Sequence, residues 1–257
     1  MQVGMQPYTI RTIEEPTAAN VARVARAGFD GIELGPGENT RAVREALDGH
    51  DLSVSSIGSG LDALENDDGL EDHRDASEAF GTDDVVVMWI DPESFETHEA
   101  VAETAHRLSE WADELADHGL QLHYHNHAHE FTELGDTNGY AALVEETDGV
   151  YFELDLGWAG TGGADPTALL AEVGDRVSLV HVKDMAFDTE ADPRPVPAAA
   201  GEFVTFGTGD LDVEACVATA REAGVEWVIF ENDEPVDPVA ELGHASTVLD
   251  EYTGHYC

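Results

Sequence analysis

Short apolar runs alternate with longer amphipathic stretches along the whole chain. Each apolar run is followed by a helical pattern, and successive runs begin about thirty residues apart, the size of a βα unit. The pattern predicts strands at residues 3–9, 30–34, 52–57, 84–88, 120–126, 150–155, 177–182 and 226–231. It predicts helices near 16–27, 39–49, 70–80, 96–118, 138–147, 166–173, 211–222 and 237–251. Gly28 and Gly224 stand where a helix should stop before the next strand begins. Eight such units predict an α/β fold: one (β/α)8 TIM barrel spanning residues 1–257 as a single domain. The length of 257 residues is close to the ~250 typical of that architecture.

Two connections are longer than the rest. Residues 58–69 are rich in Gly, Asp and Asn, and residues 184–210 carry Pro193, Pro195 and Pro197. In a barrel both would leave the C-terminal end of a strand, where active sites sit. The second is either a lid over the site or a surface loop.

Composition narrows the class. Hydrophobic residues make up 42%, enough for a sizeable core, and no run approaches the ~20 apolar residues of a membrane span. The first residues lack a basic segment followed by an apolar one, and the two cysteines, Cys216 and Cys257, make no disulfide framework. These features lead to the expectation of a cytoplasmic protein with no membrane partner. Asp and Glu number 55 against 11 Lys and Arg, a net charge of −44. The acids are spread through periodic segments, which favours a folded, halophilic surface over a disordered tail. The absence of a basic patch argues against a nucleic-acid partner.

Potential ligands cluster at the ends of the last four predicted strands. Strand five ends His123-Tyr124-His125-Asn126-His127, followed by His129 and Glu130; strand six ends Glu153-Leu154-Asp155. Strand seven carries His181-Val182-Lys183-Asp184, and strand eight runs into Glu231-Asn232-Asp233. Side chains two apart share a face of a strand. Alternation therefore sends His123, His125, Glu153, Asp155, His181, Lys183 and Glu231 inward. Ionisable groups inside a barrel are costly unless paired or bound to a metal. The mix of imidazole and carboxylate suits Mn²⁺, Zn²⁺, Co²⁺ or Mg²⁺. Lys183 could instead pair with Asp184 or Glu153, and Glu153 lies one layer deeper than Asp155, as a structural partner. Trp89 and Trp158 lie just past strand ends, placed to stack on a sugar ring or to cap the core. Tyr8 and Arg11, with Gln6, are placed to touch substrate hydroxyls.

Several stretches resemble the sugar phosphate isomerase/epimerase superfamily, the xylose isomerase-like barrels. They include Met5-Gln6-Pro7-Tyr8, Gly28-Phe29-Asp30-Gly31-Ile32-Glu33-Leu34, His125-Asn126-His127-Ala128-His129-Glu130-Phe131, Phe152-Glu153-Leu154-Asp155 and His181-Val182-Lys183-Asp184. The resemblance covers nearly the whole chain. It implies a divalent metal held by Asp155, His181 and Glu231, with a fourth ligand from strand five: Glu130 by preference, His123 or His125 as alternatives. It implies a small sugar or polyol substrate, for which His127, Trp89, Trp158, Arg11 and Tyr8 are the candidate contacts by position, and a homo-oligomer in many relatives. Proton transfer would fall to Glu231, Lys183, His125 and Glu130. The first expectation is an isomerase or epimerase working through an enediolate. The alternatives are a lyase of the inosose dehydratase or keto-glycoside cleaving type, an endonuclease IV-like repair enzyme, and a non-catalytic sugar-binding protein.

The halophilic reading makes a direct prediction. At millimolar salt, self-repulsion among surface carboxylates is unscreened, so the melting temperature should fall well below its value in molar salt. Equal melting temperatures in the two buffers would contradict that reading.

Overall fold

Gly28 and Gly224 end their helices in left-handed backbone, with φ of 103° and 82°, and each hands the chain to a strand. In this computed structural model residues 1–65, 67–187 and 201–254 are described. The strands are β1 (Gln2–Met5), β2 (Gly31–Leu34), β3 (Ser53–Ser59), β4 (Asp84–Val87), β5 (Gln121–His125), β6 (Tyr151–Asp155), β7 (Val177–Val182) and β8 (Trp227–Phe230). They pair in parallel in the order β1-β8-β7-β6-β5-β4-β3-β2. The seam between β1 and β2 is closed by the Asp30 amide donating to the Val3 carbonyl (2.8 Å) and the Val3 amide donating to the Asp30 carboxylate (2.9 Å). The result is a nearly closed (β/α)8 barrel, the architecture read from the sequence.

The long outer helices are α1 (Thr17–Ala27), α2 (Arg41–His50), α3 (Asp67–Phe80), α4 (His98–Ala116), α5 (Gly139–Glu146), α6 (Pro166–Val173), α7 (Val213–Ala223) and α8 (Pro238–Thr253). Thr40, Thr97, Asn138, Asp165, Asp212 and Asp237 each cap one of them by accepting from first-turn amides. Several acids of this chain are thus used where the helix dipole favours negative charge.

The core has two layers. Outward-facing strand residues such as Tyr124, Phe152, Leu154, Val180, Val182 and Phe230 pack against the helices. Inside the barrel, Val86, Leu179, Trp227 and Ile229 form a separate apolar plug. Trp227 needs room that a side chain on β2 would take: a Cβ built at Gly31 would stand 2.5 Å from its ring. The apolar plug leaves the layer above it, toward the strand C-termini, for polar groups.

Three details depart from the expectations. The first strand ends at Met5, not residue 9, because Pro7 opens a 3₁₀ turn over Pro7–Ile10 that the Gln6 side chain caps. The third strand runs on to Ser59, and the stretch read as a long loop holds the short helix Leu61–Leu64 and the start of α3. In the connection after β7, Met185–Phe187 pairs antiparallel with Gly201–Phe203; the rest of the expected lid, 188–200, lies outside the described residues.

Gly31→Ala should lose about 1–3 kcal/mol of stability through overpacking against Trp227. Gly37→Ala, where an added Cβ meets nothing within 4 Å, should change it by less than about 0.5 kcal/mol. Urea denaturation of the two variants checks the contrast.

Candidate metal centre

Four consecutive strands deliver buried polar groups to one point. His125 ends β5, Glu153 and Asp155 lie on β6, His181 lies on β7 with Lys183 just after it, and Glu231 follows β8. His125, Asp155, His181 and Glu231 are all buried and offer ligand atoms within 4.8 Å of one another. His125 Nε2 is 3.8 Å and His181 Nδ1 3.9 Å from Asp155 Oδ2, and His181 Nδ1 is 3.1 Å from Glu231 Oε2. Donors that share one ion at about 2.0–2.2 Å stand roughly 3–4 Å apart, so the spacing fits.

The local sequence explains how Asp155 is aimed. Its Oδ1 accepts from the Trp158 amide (2.7 Å), capping the short helix Leu156–Thr161 that starts directly after β6. Its backbone is clamped by Asn126, which accepts from the Asp155 amide (3.0 Å) and donates to its carbonyl (3.2 Å). Oδ2 is left buried with no hydrogen-bond partner among the described residues. Such an atom calls for a cation. The donor set, two imidazoles and two carboxylates around an orphaned oxygen, therefore fits a divalent ion.

A second layer lies beneath. Glu33, from β2, and Glu153 form with His181 another buried group. Glu33 Oε2 is 2.9 Å from His181 Nε2 and accepts from Gln6 Nε2 at 2.7 Å, while Ser56 donates to its other oxygen. Glu153 Oε2 lies 3.0 Å from His125 Nδ1 and 3.2 Å from His181 Nε2.

Lys183 adds an ammonium to the cluster. Its Nζ is 2.9 Å from Glu231, 2.8 Å from Asp233 and 3.4 Å from Asp155, and it lies 4.7 Å above the Trp158 ring. Burial would favour its neutral form, but Asp233, Glu231 and Asp155 outweigh burial and hold its pKa above the usual lysine value. Burial likewise opposes charge on Glu231, yet Lys183 and His181 hold its carboxyl well below the usual range. Asp155 is shifted upward, since burial exceeds what Lys183 and His181 return. Asp233 is pushed up to about 6, by burial first, against the pull of Lys183. His125 and His127 are held well below the ordinary imidazole value, chiefly by burial and then by neighbouring positive charge.

The structure brings together Asp155, His181 and Glu231, and the strand-five partner beside them is His125. Glu130, the preferred fourth ligand, is elsewhere. It sits on the helix side of β5, accepting from the Tyr124 hydroxyl and from the His127 amide (2.9 Å), because Tyr124 faces outward and holds it there. His123 points inward but too deep, 2.9 Å from Asp84 near the other end of the strands. Asp184 does not pair with Lys183; it accepts from the Gly209 (2.7 Å) and Leu211 (3.2 Å) amides and anchors the returning loop.

His127 sits between Trp89 (4.5 Å) and Trp158 (5.7 Å) and 5.0 Å from His125. Trp89 is 40% exposed and Trp158 only 2%. Arg11 stacks 4.1 Å over Tyr8 and donates to the backbone carbonyls of Tyr8 and Asp233. A cleft of about 580 Å³ opens beside the centre, lined by Gln6, Arg11, Glu33, Ser59, Met88 and Trp89 among others. Glu33 and Asp233 were not singled out from sequence. The alternation in Ile32-Glu33-Leu34 that turns Glu33 inward is the same signal used for strands five to eight.

Residues 21–252 match the family of xylose isomerase-like TIM barrels, and the chain belongs to that family. In sequence it is similar to the inosose dehydratase of Geobacillus kaustophilus, 28% identical over 144 residues, which are 53% of this chain and 46% of that one. It is 24% identical to the inosose dehydratase of Clostridium botulinum over 243 residues, 83% of this chain and 81% of that one. In structure it is similar to a sugar phosphate isomerase/epimerase from Parabacteroides distasonis, with TM-score 0.76, 18% identity, and coverage of 96% and 93% of the two chains. The match thus spans about half the length of the Geobacillus relative. The homologues are enzymes.

Asp155→Ala and His181→Ala should each abolish tight Mn²⁺ or Zn²⁺ uptake with the fold retained, whereas Glu130→Gln should leave affinity within a few-fold of wild type. Isothermal titration with circular dichroism checks all three. A Glu130 variant as defective as Asp155→Ala would overturn the ligand assignment.

Proposed function

We propose that this protein is a divalent-metal-dependent enzyme that enolises an uncharged polyhydroxy ketone and expels the hydroxyl β to its carbonyl, a sugar- or inosose-type dehydratase. The ion would be held by His125, Asp155, His181 and Glu231, and when bound it would supply Lewis-acid stabilisation of negative charge at a carbonyl oxygen. The remaining steps belong to side chains. Glu231, anionic and at the rim of the centre, takes the proton from the carbon next to the carbonyl. The departing hydroxyl needs a proton, and the Lys183 ammonium, 2.9 Å from Glu231, is the cationic donor at hand. Trp89, exposed in the cleft wall, gives an apolar face for a sugar ring, while Trp158 stays buried beneath Lys183.

The observation that carries this reading is the Lys183 ammonium set against Glu231, Asp233 and Asp155, with His125 and no carboxylate at the strand-five position. Epimerisation by two carboxylates on opposite faces needs that second group, and Glu130 is tied to Tyr124. The sequence similarity to inosose dehydratases supports the same choice. An uncharged substrate is supported by the state of the cations. Among the described residues, Arg11 and Lys183 at the mouth are already engaged, and Glu15 and Glu38 line the cleft.

A second reading, isomerisation or epimerisation, is favoured by His127, a neutral imidazole whose Nδ1 is buried without a partner among the described residues. From there it could return a proton to carbon. The two are separated by incubating the Mn²⁺-loaded protein with a panel of ketoses and inososes in D₂O. The first predicts a product lighter by one water; the second predicts an isomer carrying deuterium. Activity surviving exhaustive chelation would contradict both.

Lys183→Met should lower turnover by roughly 10²–10⁴-fold, the usual worth of a general acid, and phosphorylated analogues should be poorer substrates than their free sugars. Steady-state kinetics on matched pairs checks both.

A further inference from the structure

We infer that Glu153 is a positioning residue: a buried carboxyl that, together with Glu33, fixes His125 and His181 in opposite tautomers and so turns one lone pair of each toward the cation. The inference concerns how the proposed centre is built, and its affinity arm rests on that proposal.

Glu153 lies two residues before Asp155 on β6, so both side chains enter the barrel from the same face of one strand. Its Oε2 is 3.0 Å from His125 Nδ1 and 3.2 Å from His181 Nε2. The nitrogens it meets are different ones on the two rings. The remaining nitrogens, His125 Nε2 and His181 Nδ1, are those that face Asp155 Oδ2 and Glu231 Oε2. Burial and then the nearby Glu33 push the Glu153 carboxyl well up, but Oε2 accepts in either state, because Oε1, without a hydrogen-bond partner among the described residues, is the oxygen free to carry a proton. A hydrogen therefore belongs on His125 Nδ1 and on His181 Nε2. His125 Nε2 stays free, while His181 Nδ1, 3.1 Å from Glu231 Oε2, shares a hydrogen with that carboxylate until a cation takes its place. Either ring turned over would set a C–H against the carboxylate and aim an N–H at the ion. On His181, Glu33 is the hydrogen-bond partner of Nε2 (2.9 Å), with Glu153 beside it at 3.2 Å, and Gln6 and Ser56 hold Glu33 in turn. Glu153 itself is fully buried, beneath the two imidazoles its Oε2 meets, so it is placed to act on them and not on substrate. Hydrogen-bond partners of this kind raise ligand basicity and fix ring orientation, and their loss typically weakens metal binding by about 10–100-fold.

The test is ¹⁵N NMR of histidine-labelled protein together with Zn²⁺ titrations. In wild type, with or without Zn²⁺, His125 should carry its hydrogen on Nδ1; with Zn²⁺ bound, His181 should carry its hydrogen on Nε2. Glu153→Met should weaken Zn²⁺ binding by about 10–100-fold and should lose the single His125 tautomer. Glu153→Gln, whose amide oxygen still accepts, should fall between. A side chain that only filled space would lower the melting temperature without moving the imidazole signals. Wild-type His125 protonated on Nε2, or a folded Glu153→Met with unchanged Zn²⁺ affinity, would overturn the inference. Should Glu153→Met not fold, the wild-type tautomer and the Gln variant decide. Should wild type take up no Zn²⁺, the metal proposal fails and the His125 tautomer alone decides this one.

Discussion

The structure depends on a concentration of charge that water cannot reach. Glu33, Glu153, Asp155 and Glu231 share the upper barrel with His125, His181 and Lys183, all of them buried. Unpaired, any one of these carboxylates would cost several kcal/mol to bury. Together they form a sequence of contacts in which nearly every charge meets its opposite, running from Gln6 and Ser56 through Glu33, His181 and Glu231 to Lys183 and Asp233. Among the exceptions is Asp155 Oδ2, which faces two imidazole nitrogens and an ammonium yet accepts no hydrogen bond among the described residues; Glu153 Oε1, a layer deeper, is another buried oxygen without one. An unpartnered carboxylate oxygen facing two imidazoles and a second carboxylate is what a cation site requires.

The barrel makes that arrangement possible by dividing its interior. Trp227, Leu179, Ile229 and Val86 fill the lower layer, and Gly31 gives the indole room. Polar groups are confined above them. Fixing elements then converge from several directions: Asn126 on the backbone of Asp155, the short helix after β6 on its Oδ1, and the anchored loop on Asp184. Each restricts a side chain that would otherwise have several rotamers, and precise ligand placement depends on such support.

Much of this could be read from the chain. Alternation in the strand ends placed Asp155, His181, Lys183 and Glu231 inward, and eight βα spacings gave the barrel. Alternation could not supply depth. His123 and His125 have the same parity on β5, but only the stagger of neighbouring strands decides that one meets Asp84 and the other meets Asp155. The preference for Glu130 failed for a different reason. Its fate is set by Tyr124, an outward residue whose hydroxyl reaches over the strand end, and that is a tertiary contact without a local signature. Glu33 is legible by the rule that holds for the later strands, but β2 carries no histidine, and a lone inward glutamate has no sequence signature of a ligand cluster.

The account stands on one site, and diffraction data from a Mn²⁺-soaked crystal test it most directly. An anomalous peak surrounded by His125 Nε2, Asp155 Oδ2, His181 Nδ1 and Glu231 Oε2 is the expected result. Well-ordered density in which Lys183 alone neutralises the carboxylates, with manganese absent from that position at saturating concentration, would contradict it.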